Sequence, residues 1–246
     1  MRNKVVLITG AARRVGAGIA RELHARGAQL MLHYRGSAVE AEALAAELNQ
    51  IRPGSADTVQ ADLLDIDRLP ALVEACVLRF GRLDGLVNNA SSFFATPLGT
   101  IDSAAWHDLM GSNLQAPLFL AQAAAPHLTA SGGAIVGLID IHAERPLKDF
   151  VVYSLAKAGH AQLIRALALE LAPHVRVNGV APGTNVWPER GAHFSAAERA
   201  AIEASIPLGR VGVPADLARA VAWLLSDQAA YVTGQILAVD GGRSVA

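Results

Sequence analysis

Short, continuous apolar runs alternate with longer amphipathic segments along almost the whole chain. The apolar runs, which are the strand candidates, are Val5–Ile8, Gln29–His33, Thr58–Ala61, Gly85–Val87, Ala134–Ile139, Arg176–Val180 and Ile236–Val239. Most of them lack the polar alternation of a strand with one solvated face, so both faces are expected to be covered. Strands of this kind, joined by helices, predict right-handed βαβ crossovers and a doubly wound parallel sheet of the α/β class.

The segments between these runs have helical periodicity. The helix candidates are Val15–Arg26, Val39–Asn49, Leu69–Phe80, Ala104–Leu128, Val152–Leu171 and Ala215–Leu225. No linker or change in composition divides the chain, which predicts one domain over residues 1–246. The long segment from Ala181 to Ala200 looks irregular, and such a loop in a compact domain usually forms a lid or a binding loop. We therefore expect a substrate loop at about 183–205.

The composition excludes several classes of function. Hydrophobic residues make up 52% of the chain and the net charge is −1, so a large core is expected and a basic surface for nucleic acid or an anionic membrane is not. The only cysteine, Cys76, excludes an intrachain disulfide and a cysteine-based metal cluster. The eight histidines lack H-x-x-x-H spacing, which predicts no metal site.

The longest stretch without Asp, Glu, Lys or Arg runs from Leu109 to Ile139. It contains Pro117, Pro126 and a pair of glycines, which indicates a helix, a turn and a strand rather than a membrane span. The apolar run at the N-terminus is too short for a signal peptide, so a cytoplasmic location is expected.

The segment after the first strand, TGAARRVGAG, is rich in glycine. Gly10, Gly16 and Gly18 would allow a tight turn, a close backbone approach and a helix N-terminus that binds a pyrophosphate. Because the spacing is not G-x-G-x-x-G, a purely structural turn is the alternative.

The end of the second strand bears on the choice of cofactor. An NAD site usually has an acidic residue there, about 20 residues after the glycine-rich turn. This chain instead has His33, Tyr34, Arg35, Gly36 and Ser37. A cation and a hydroxyl suit a 2′-phosphate, which favours NADP(H). The alternative is that Arg35 is a solvated surface charge.

Three polar residues surround the predicted start of the fifth helix. Tyr153 and Lys157 are four residues apart and therefore share one helix face. A lysine ammonium near a phenol predicts a lowered pKa for Tyr153, from about 10, so that it can transfer a proton at neutral pH. Asp140 ends the fifth strand, thirteen residues before Tyr153; its alternative role is to cap the following turn. His142 and Arg145 are interpreted as part of a solvated rim.

Seven motifs occur in order: TGAARRVG, ADL at 61–63, NNA at 88–90, Asn113 in GSNLQAP, YSLAK, VRVNGVAPG at 175–183 and VTGQILAVDGG at 232–242. Together they resemble the short-chain dehydrogenase/reductase family over essentially the whole chain. The resemblance implies a seven-stranded Rossmann-type sheet, a nicotinamide cofactor and, usually, a homotetramer. It implies catalytic roles for Asn113, Tyr153 and Lys157. The family usually has a serine where this chain has Asp140.

Four features are similar to the pteridine reductases within this family: the paired arginines of the turn, the His-Tyr strand end, the stretch NNASSF and Asp140 in place of serine. The resemblance implies reduction of dihydropterins by NADPH, with dihydrofolate as a further candidate. The cofactor-binding residues it implies are Gly10, Arg13, Arg14, Val15, Gly16, His33, Tyr34, Arg35, Ser37, Asp62, Leu63, Asn89, Ala90, Ser91, Tyr153, Lys157, Pro182 and Gly183.

The same resemblance implies the substrate-binding residues Arg14, Ser91, Phe93, Asp140, Tyr153 and Trp187. Phe93 would stack on the pterin, unless it belongs to the core. The alternative for Arg14 is a surface charge, and the alternative for Trp187 is a contact between subunits.

The chemistry of Asp140 favours a ring nitrogen as the atom that is protonated. A carbonyl reductase needs a neutral donor at the oxygen that becomes an alkoxide, and a carboxylate would repel that charge. Reduction of a ring C=N instead needs a proton on nitrogen, which an acid bonded to Tyr153 can resupply. The alternatives are a carbonyl reductase, for example of 3-oxoacyl thioesters, in which a serine is expected at 140, and a non-catalytic sensor of NADPH. The presence of Asn113, Tyr153 and Lys157 argues against the sensor.

Overall fold

Seven parallel strands form one sheet in the order β3-β2-β1-β4-β5-β6-β7. The computed structural model describes residues 1–187 and 195–246. Within these ranges the strands are β1 (Val5–Ile8), β2 (Gln29–Tyr34), β3 (Ala56–Gln60), β4 (Gly85–Asn88), β5 (Ala134–Leu138), β6 (Arg176–Pro182) and β7 (Ile236–Val239). The strand order reverses between β1 and β4, and ligands of such sheets bind in the crevice at the carboxyl ends of the strands there.

Helices cover both faces of the sheet. The α-helices among the described residues are α1 (Arg14–Ala25), α2 (Ala38–Ile51), α3 (Leu69–Phe80), α4 (Ser103–Met110), α5 (Ala116–Ser131), α6 (Val151–Glu170), α7 (Ala196–Ala204) and α8 (Pro214–Leu225). One core lies between the sheet and α1, α2 and α8, and the other between the sheet and α3, α5 and α6. In β1, Val6 and Ile8 face the first core while Val5 and Leu7 face the second, which explains the continuous apolar runs.

The predicted fold class is therefore confirmed, with each predicted strand present within two residues of its expected bounds. The prediction of one long helix over Ala104–Leu128 is wrong in one respect. A π-helical turn at Gly111–Gln115 divides this segment into α4 and α5. Pro117 contributes to this break, since it has no backbone N–H to donate to the carbonyl of Asn113 four residues earlier. Turns of this kind often occur at functional sites, and Asn113 lies within this one.

The prediction that Ala181 to Ala200 form an irregular segment is also wrong in part. Ala181 and Pro182 extend β6, and α7 occupies Ala196–Ala204. A capping box begins α7: Ser195 Oγ accepts a hydrogen bond from the backbone of Glu198, and the Glu198 carboxylate accepts one from the backbone of Ser195. The pattern S-A-A-E is typical of this motif. Residues 188–194, the middle of the predicted substrate loop, lie outside the described residues. Among the described helices, none is long and apolar enough to cross a bilayer.

Three histidines, His24, His33 and His160, are buried with lowered pKa values, which makes the stability of the fold depend on pH. His33 and His160 are 1% and 2% exposed. Burial lowers the pKa of both, and the charge of Lys157 lowers that of His160 further, to about 3. The backbone of Asn113 acts in the opposite direction, but neither ring nitrogen of His160 has a partner with hydrogen-bond geometry among the described residues. Both rings are therefore neutral in the folded protein at pH 7.

We expect the free energy of unfolding to decrease as the pH falls below about 6.5, because unfolded histidines bind protons there and His160 does not until about pH 3. Between pH 8 and 5.5 His160 should account for about 1 kcal/mol. Urea titrations across this range measure the effect. His160→Leu should reduce the dependence, whereas the exposed control His174→Gln should not; equal dependence in both variants would contradict the assignment.

Candidate active site

A cluster of hydrogen bonds joins the loops that follow β1 and β4. Thr9 Oγ1 donates to the carbonyl of Val87 (3.3 Å) and accepts from the backbone N–H groups of Asn89 and Ala90, at 2.9 and 3.0 Å. The Asn89 side chain donates to the carbonyls of Thr9 and Gly10, at 2.9 and 3.0 Å. These contacts, called the Thr9–Asn89 clasp below, hold the glycine-rich turn against the loop that carries Ser91 and Phe93.

The glycine-rich turn leaves room that a side chain would fill. Gly10 has a left-handed φ of 61°, and a Cβ on Gly16 would collide with the carbonyl oxygen of Gly10. The helix α1 then begins at Arg14, and no side chain caps its first N–H groups. Uncapped N–H groups at a helix N-terminus, approached by bare glycine backbone, suit a pyrophosphate. The turn therefore fits a dinucleotide.

His33 supports this turn from β2. Its Nδ1 accepts a hydrogen bond from the backbone of Gly10 (3.1 Å) and its Nε2 lies 3.1 Å from the carbonyl oxygen of Ala61. With one nitrogen accepting, the neutral ring carries its proton on Nε2 and donates to Ala61. One buried imidazole thus connects the ends of β1, β2 and β3, while its edge lines the cleft.

The carboxyl end of β2 has basic and hydroxyl groups without an acidic residue. Tyr34, Arg35 and Ser37 line the cleft there, and Arg35 is exposed. Among the described residues Arg35 has no ion-pair partner, whereas Arg13 lies 3.5 Å from the Glu40 carboxylate. This end of the cleft therefore has an arginine available for an anionic ligand.

Asp140 is held by two different groups, one on each carboxylate oxygen. Tyr153 Oη donates to Oδ2 at 2.7 Å, and the backbone N–H of His142 donates to Oδ1 at 2.9 Å. The second bond caps the 3₁₀ turn Ile141–Ala143. The predicted cap is therefore present, and it leaves Oδ2 of Asp140 bonded to Tyr153. Lys157 Nζ lies just behind and donates to the carbonyl of Leu138 at 2.8 Å.

The expected direction of the Tyr153 pKa is wrong. Burial raises the pKa of Tyr153 well above 10, and the adjacent Asp140 carboxylate raises it further. Lys157 does not reverse this, because its Nζ lies 5.7 Å from the ring centroid and is bonded to backbone. Burial lowers the pKa of Lys157 to about 8, against the opposing effect of Asp140. At neutral pH, Tyr153 is consequently a phenol that donates to Asp140.

Asn113 lies behind the wall of the cleft, 1% exposed. Its Nδ2 donates to the carbonyls of Ser92 and Leu109, both at 3.0 Å, and its Oδ1 accepts from Ser91 Oγ at 2.6 Å. The side chain therefore fixes the loop that ends in Phe93. A catalytic role for Asn113, as predicted, would have to act through this loop or through its backbone carbonyl.

Phe93 is 46% exposed and does not belong to the core. Its ring stacks on Phe150, with centroids 4.6 Å apart and an interplanar angle of 18°, and meets Tyr153 edge-on at 4.8 Å. The backbone of Thr96 donates to the carbonyl of Asp149 at 2.6 Å, which joins the two loops that carry the aromatic residues. An aromatic surface thus flanks Tyr153 in the cleft.

Arg14 connects the glycine-rich turn with the loop after β6. Its Nη2 donates to the carbonyl of Val186 at 3.0 Å, and its φ of 53° lies in the left-handed region that favours glycine. The next residue, Trp187, has the guanidinium of Arg199 5.2 Å from its ring centroid. Arg14 is therefore more than a surface charge, since it closes one side of the cleft.

One open cleft of about 840 Å³ lies at the carboxyl edge of the sheet. Every residue predicted to bind cofactor or substrate lines it, from Gly10 to Trp187, and Asn113 alone of the predicted site residues does not. Among residues 1–187 and 195–246, no group of three or more His, Cys, Asp or Glu side chains could hold a metal ion.

Sequence reasoning missed Arg243, Thr184 and His142, which also line the cleft. Arg145 is exposed, as interpreted, and it also donates to the carbonyl of Arg243 at 2.9 Å. The signal that could have found Arg243 is its place just after β7, since residues that follow parallel strands collect at the ligand edge of the sheet.

Known proteins of several activities are similar to this chain. The family model described as enoyl-(acyl carrier protein) reductase matches residues 10–244. Pteridine reductase 1 of Leishmania tarentolae is 39% identical over 98% of this chain and 96% of its own. 3beta-hydroxysteroid dehydrogenase 1 of Eggerthella lenta is 36% identical over 100% of this chain and 95% of its own. L-rhamnose 1-dehydrogenase (NAD(P)(+)) of Azotobacter vinelandii is 37% identical over 99% of this chain and 97% of its own. With its seven-stranded parallel sheet and a cleft at the strand switch point, the chain belongs to the short-chain dehydrogenase/reductase family of oxidoreductases.

Proposed function

We propose that this protein is an NADPH-dependent reductase of dihydropterins, in which the carbon of a ring C=N bond receives a hydride and its nitrogen a proton, giving the tetrahydro form. Dihydrofolate is a further substrate of the same class. The observation that carries the proposal is the 2.7 Å hydrogen bond from Tyr153 to the Asp140 carboxylate. A carboxylate would repel the oxyanion of a carbonyl reduction, but it can accept hydrogen bonds from the amino and ring N–H groups of a pterin.

The choice of NADPH rests on the end of β2. The lack of an acidic residue there and the availability of Arg35 and Ser37 support a 2′-phosphate over a free ribose diol. Gly10, Gly16 and the start of α1 would hold the pyrophosphate. The bound nicotinamide supplies the hydride; the residues described next supply the proton and the orientation.

Tyr153 is placed to donate the proton. Its raised pKa keeps the phenol protonated until a strong base appears beside it. The nitrogen of a C=N bond becomes such a base as hydride reaches the carbon, so the proton passes from Tyr153 Oη to that nitrogen. The phenolate left behind is disfavoured next to Asp140 and favoured by the Lys157 ammonium. A proton taken up from the cleft through Asp140 then restores the phenol.

The aromatic surface supports a flat substrate. Phe93 exposes nearly half of its surface while its ring is held by Phe150 and Tyr153. A bicyclic heteroaromatic ring can stack on such a face, and offset stacking contributes about 0.5–1.5 kcal/mol beyond burial. The similarity to a pteridine reductase supports the same substrate class.

The second candidate is reduction of a carbonyl compound, such as a 3-oxoacyl thioester. The relatives whose names denote hydroxysteroid and rhamnose dehydrogenases favour it, because those proteins act between an alcohol and a carbonyl. Asp140 is the residue that argues against it. By analogy with the family we also propose a homotetramer, which light scattering of the purified protein would test, while the cytoplasmic location stays a prediction from the sequence.

Purified protein should oxidise NADPH when it is given dihydrobiopterin, because Tyr153, Asp140 and Phe93 suit a ring C=N. The loss of NADPH absorbance measures the rate, with acetoacetyl thioester as the competing substrate. Turnover of the thioester without turnover of any pterin would reject the proposed function in favour of carbonyl reduction.

Asp140→Ser should lower kcat for dihydropterin by about 100-fold, because the proton supply to Tyr153 is lost. A serine can still accept from the backbone of His142, so the cap of the 3₁₀ turn is retained. NADPH affinity, measured by fluorescence titration, should change little. Asp102→Ser, at the exposed N-cap of α4, is the matched control. Wild-type activity in Asp140→Ser would assign Asp140 to the cap alone.

Arg35→Asp should shift the preference for NADPH over NADH by at least about tenfold toward NADH, because a charge-assisted hydrogen bond to the 2′-phosphate is lost and a carboxylate can bind the ribose diol. The ratio of the two kcat/KM values measures the shift. Arg68→Asp, which changes charge outside the cleft, should leave the ratio as it is. An unchanged ratio in Arg35→Asp would mean that Arg35 is a solvated charge.

A further inference from the structure

A tight turn after β7 directs an arginine into the cleft. Asp240 Oδ1 accepts from the backbone of Gly242 at 2.9 Å and its Oδ2 accepts from the backbone of Ser244 at 2.7 Å. Gly241 and Gly242 have φ values of 67° and 88°, and a Cβ on Gly241 would collide with Ile206. The turn is therefore fixed by its carboxylate and its glycines, and Arg243 follows them directly.

The backbone and side chain of Arg243 are both anchored. Arg145 Nη1 donates to the backbone carbonyl of Arg243 at 2.9 Å. The Nη1 of Arg243 donates in turn to the hydroxyl of Thr184. Thr184 follows Gly183, which packs against Asp240. The side chain is therefore preorganised, with little entropy left to lose when it binds a ligand.

Most donors of this guanidinium remain available. Among the described residues Arg243 has no carboxylate partner, and Thr184 takes one of its five N–H groups. Arg243 and His142 line both the main cleft and an adjoining cavity of about 510 Å³. The described residues that line that cavity include no Asp or Glu and do include Arg145, which also donates to the oxygen of Ala246, the last residue of the chain, at 3.4 Å. Arg243 and Arg145 thus bring two guanidinium groups to the junction of the two spaces.

The sheet sets the distance between this cation and the reacting atoms. Asp140 follows β5 and Arg243 follows β7, with β6 between them. Two strand spacings amount to roughly 10 Å. Arg35, proposed for the cofactor, lies on the opposite side, beyond β1 and β4. A substrate ring at Asp140 would therefore have Arg243 on the side opposite Arg35, within reach of a substituent of that length.

From this arrangement we infer that Arg243 binds a carboxylate on the arm of the substrate, so that the enzyme favours dihydropterins with a carboxylate-bearing arm over those with a neutral one. The inference rests on the proposed function. A guanidinium suits this role because it binds a planar carboxylate through two parallel hydrogen bonds. Arg145 acts as a positioning residue, which holds the backbone of Arg243.

Three dihydropterins of graded charge test the inference: dihydrobiopterin has no carboxylate, dihydropteroate has one and dihydrofolate has two. In the wild type, KM for the two acids should rise with ionic strength, and KM for dihydrobiopterin should not. In Arg243→Gln, the ratio of kcat/KM for dihydrofolate to that for dihydrobiopterin should fall at least about tenfold, through KM. Arg243→Lys should recover part of this ratio, and Arg68→Gln should leave it unchanged.

Each other outcome has a distinct meaning. If Arg243→Gln lowers kcat/KM by one common factor for all three substrates, the carboxylate subsite is rejected and the proposed function stands. If the wild type reduces dihydrobiopterin but neither acid, the subsite is likewise rejected. If no dihydropterin is reduced at all, the proposed function is wrong and the inference falls with it. The salt dependence of the wild type decides the question even where Arg243→Gln does not fold.

Discussion

The Thr9–Asn89 clasp is the contact on which the geometry of the cleft depends. The strand order reverses between β1 and β4, so the loops after these strands diverge unless something joins them. Thr9 and Asn89 join them with five hydrogen bonds, all between 2.9 and 3.3 Å. One loop begins the glycine-rich turn and the other continues to Phe93. The proposed sites for cofactor and substrate therefore keep a constant spacing because the same few polar groups hold both.

The distribution of charge along the cleft follows the order of the strands. Arg35 beside β2 and Arg243 beside β7 have no carboxylate partners among the described residues, Asp140 lies between them at the end of β5, and a second acid, Asp62, lines the cleft after β3. A ligand pair that is anionic at both far ends and has hydrogen-bond donors at the centre is complementary to this pattern. NADPH together with a carboxylated dihydropterin has that distribution, whereas an acyl thioester would place a developing oxyanion against Asp140.

The sheet and the residues at its edge were accessible from sequence because each depends on local pattern. Continuous apolar runs identify strands buried on both faces, and residues just after such strands must meet at one edge. Asp140 was found in this way, and Tyr153 and Lys157 were found by their spacing on a helix. The π-helical turn at Gly111–Gln115 was not, because it depends on how Pro117 and the packing of Gly111 against Leu64 combine. Arg243 was missed because its direction is set by a turn that packs on Ile206, far from it in sequence.

The ionisation of Tyr153 could not be read from spacing for a related reason. A spacing of four residues on a helix places Lys157 on the same face as Tyr153. The sign of the pKa shift of Tyr153, however, depends on which charge is nearer to the phenol and on what else the Lys157 ammonium bonds. Nζ is held by the carbonyl of Leu138, while Asp140 touches the phenol itself. Asp140 can do this because its other oxygen is fixed by the backbone of His142. Burial raises the pKa of Tyr153, and the residue that caps the turn after β5 raises it further, so the same carboxylate serves the local fold and the ionisation of the phenol.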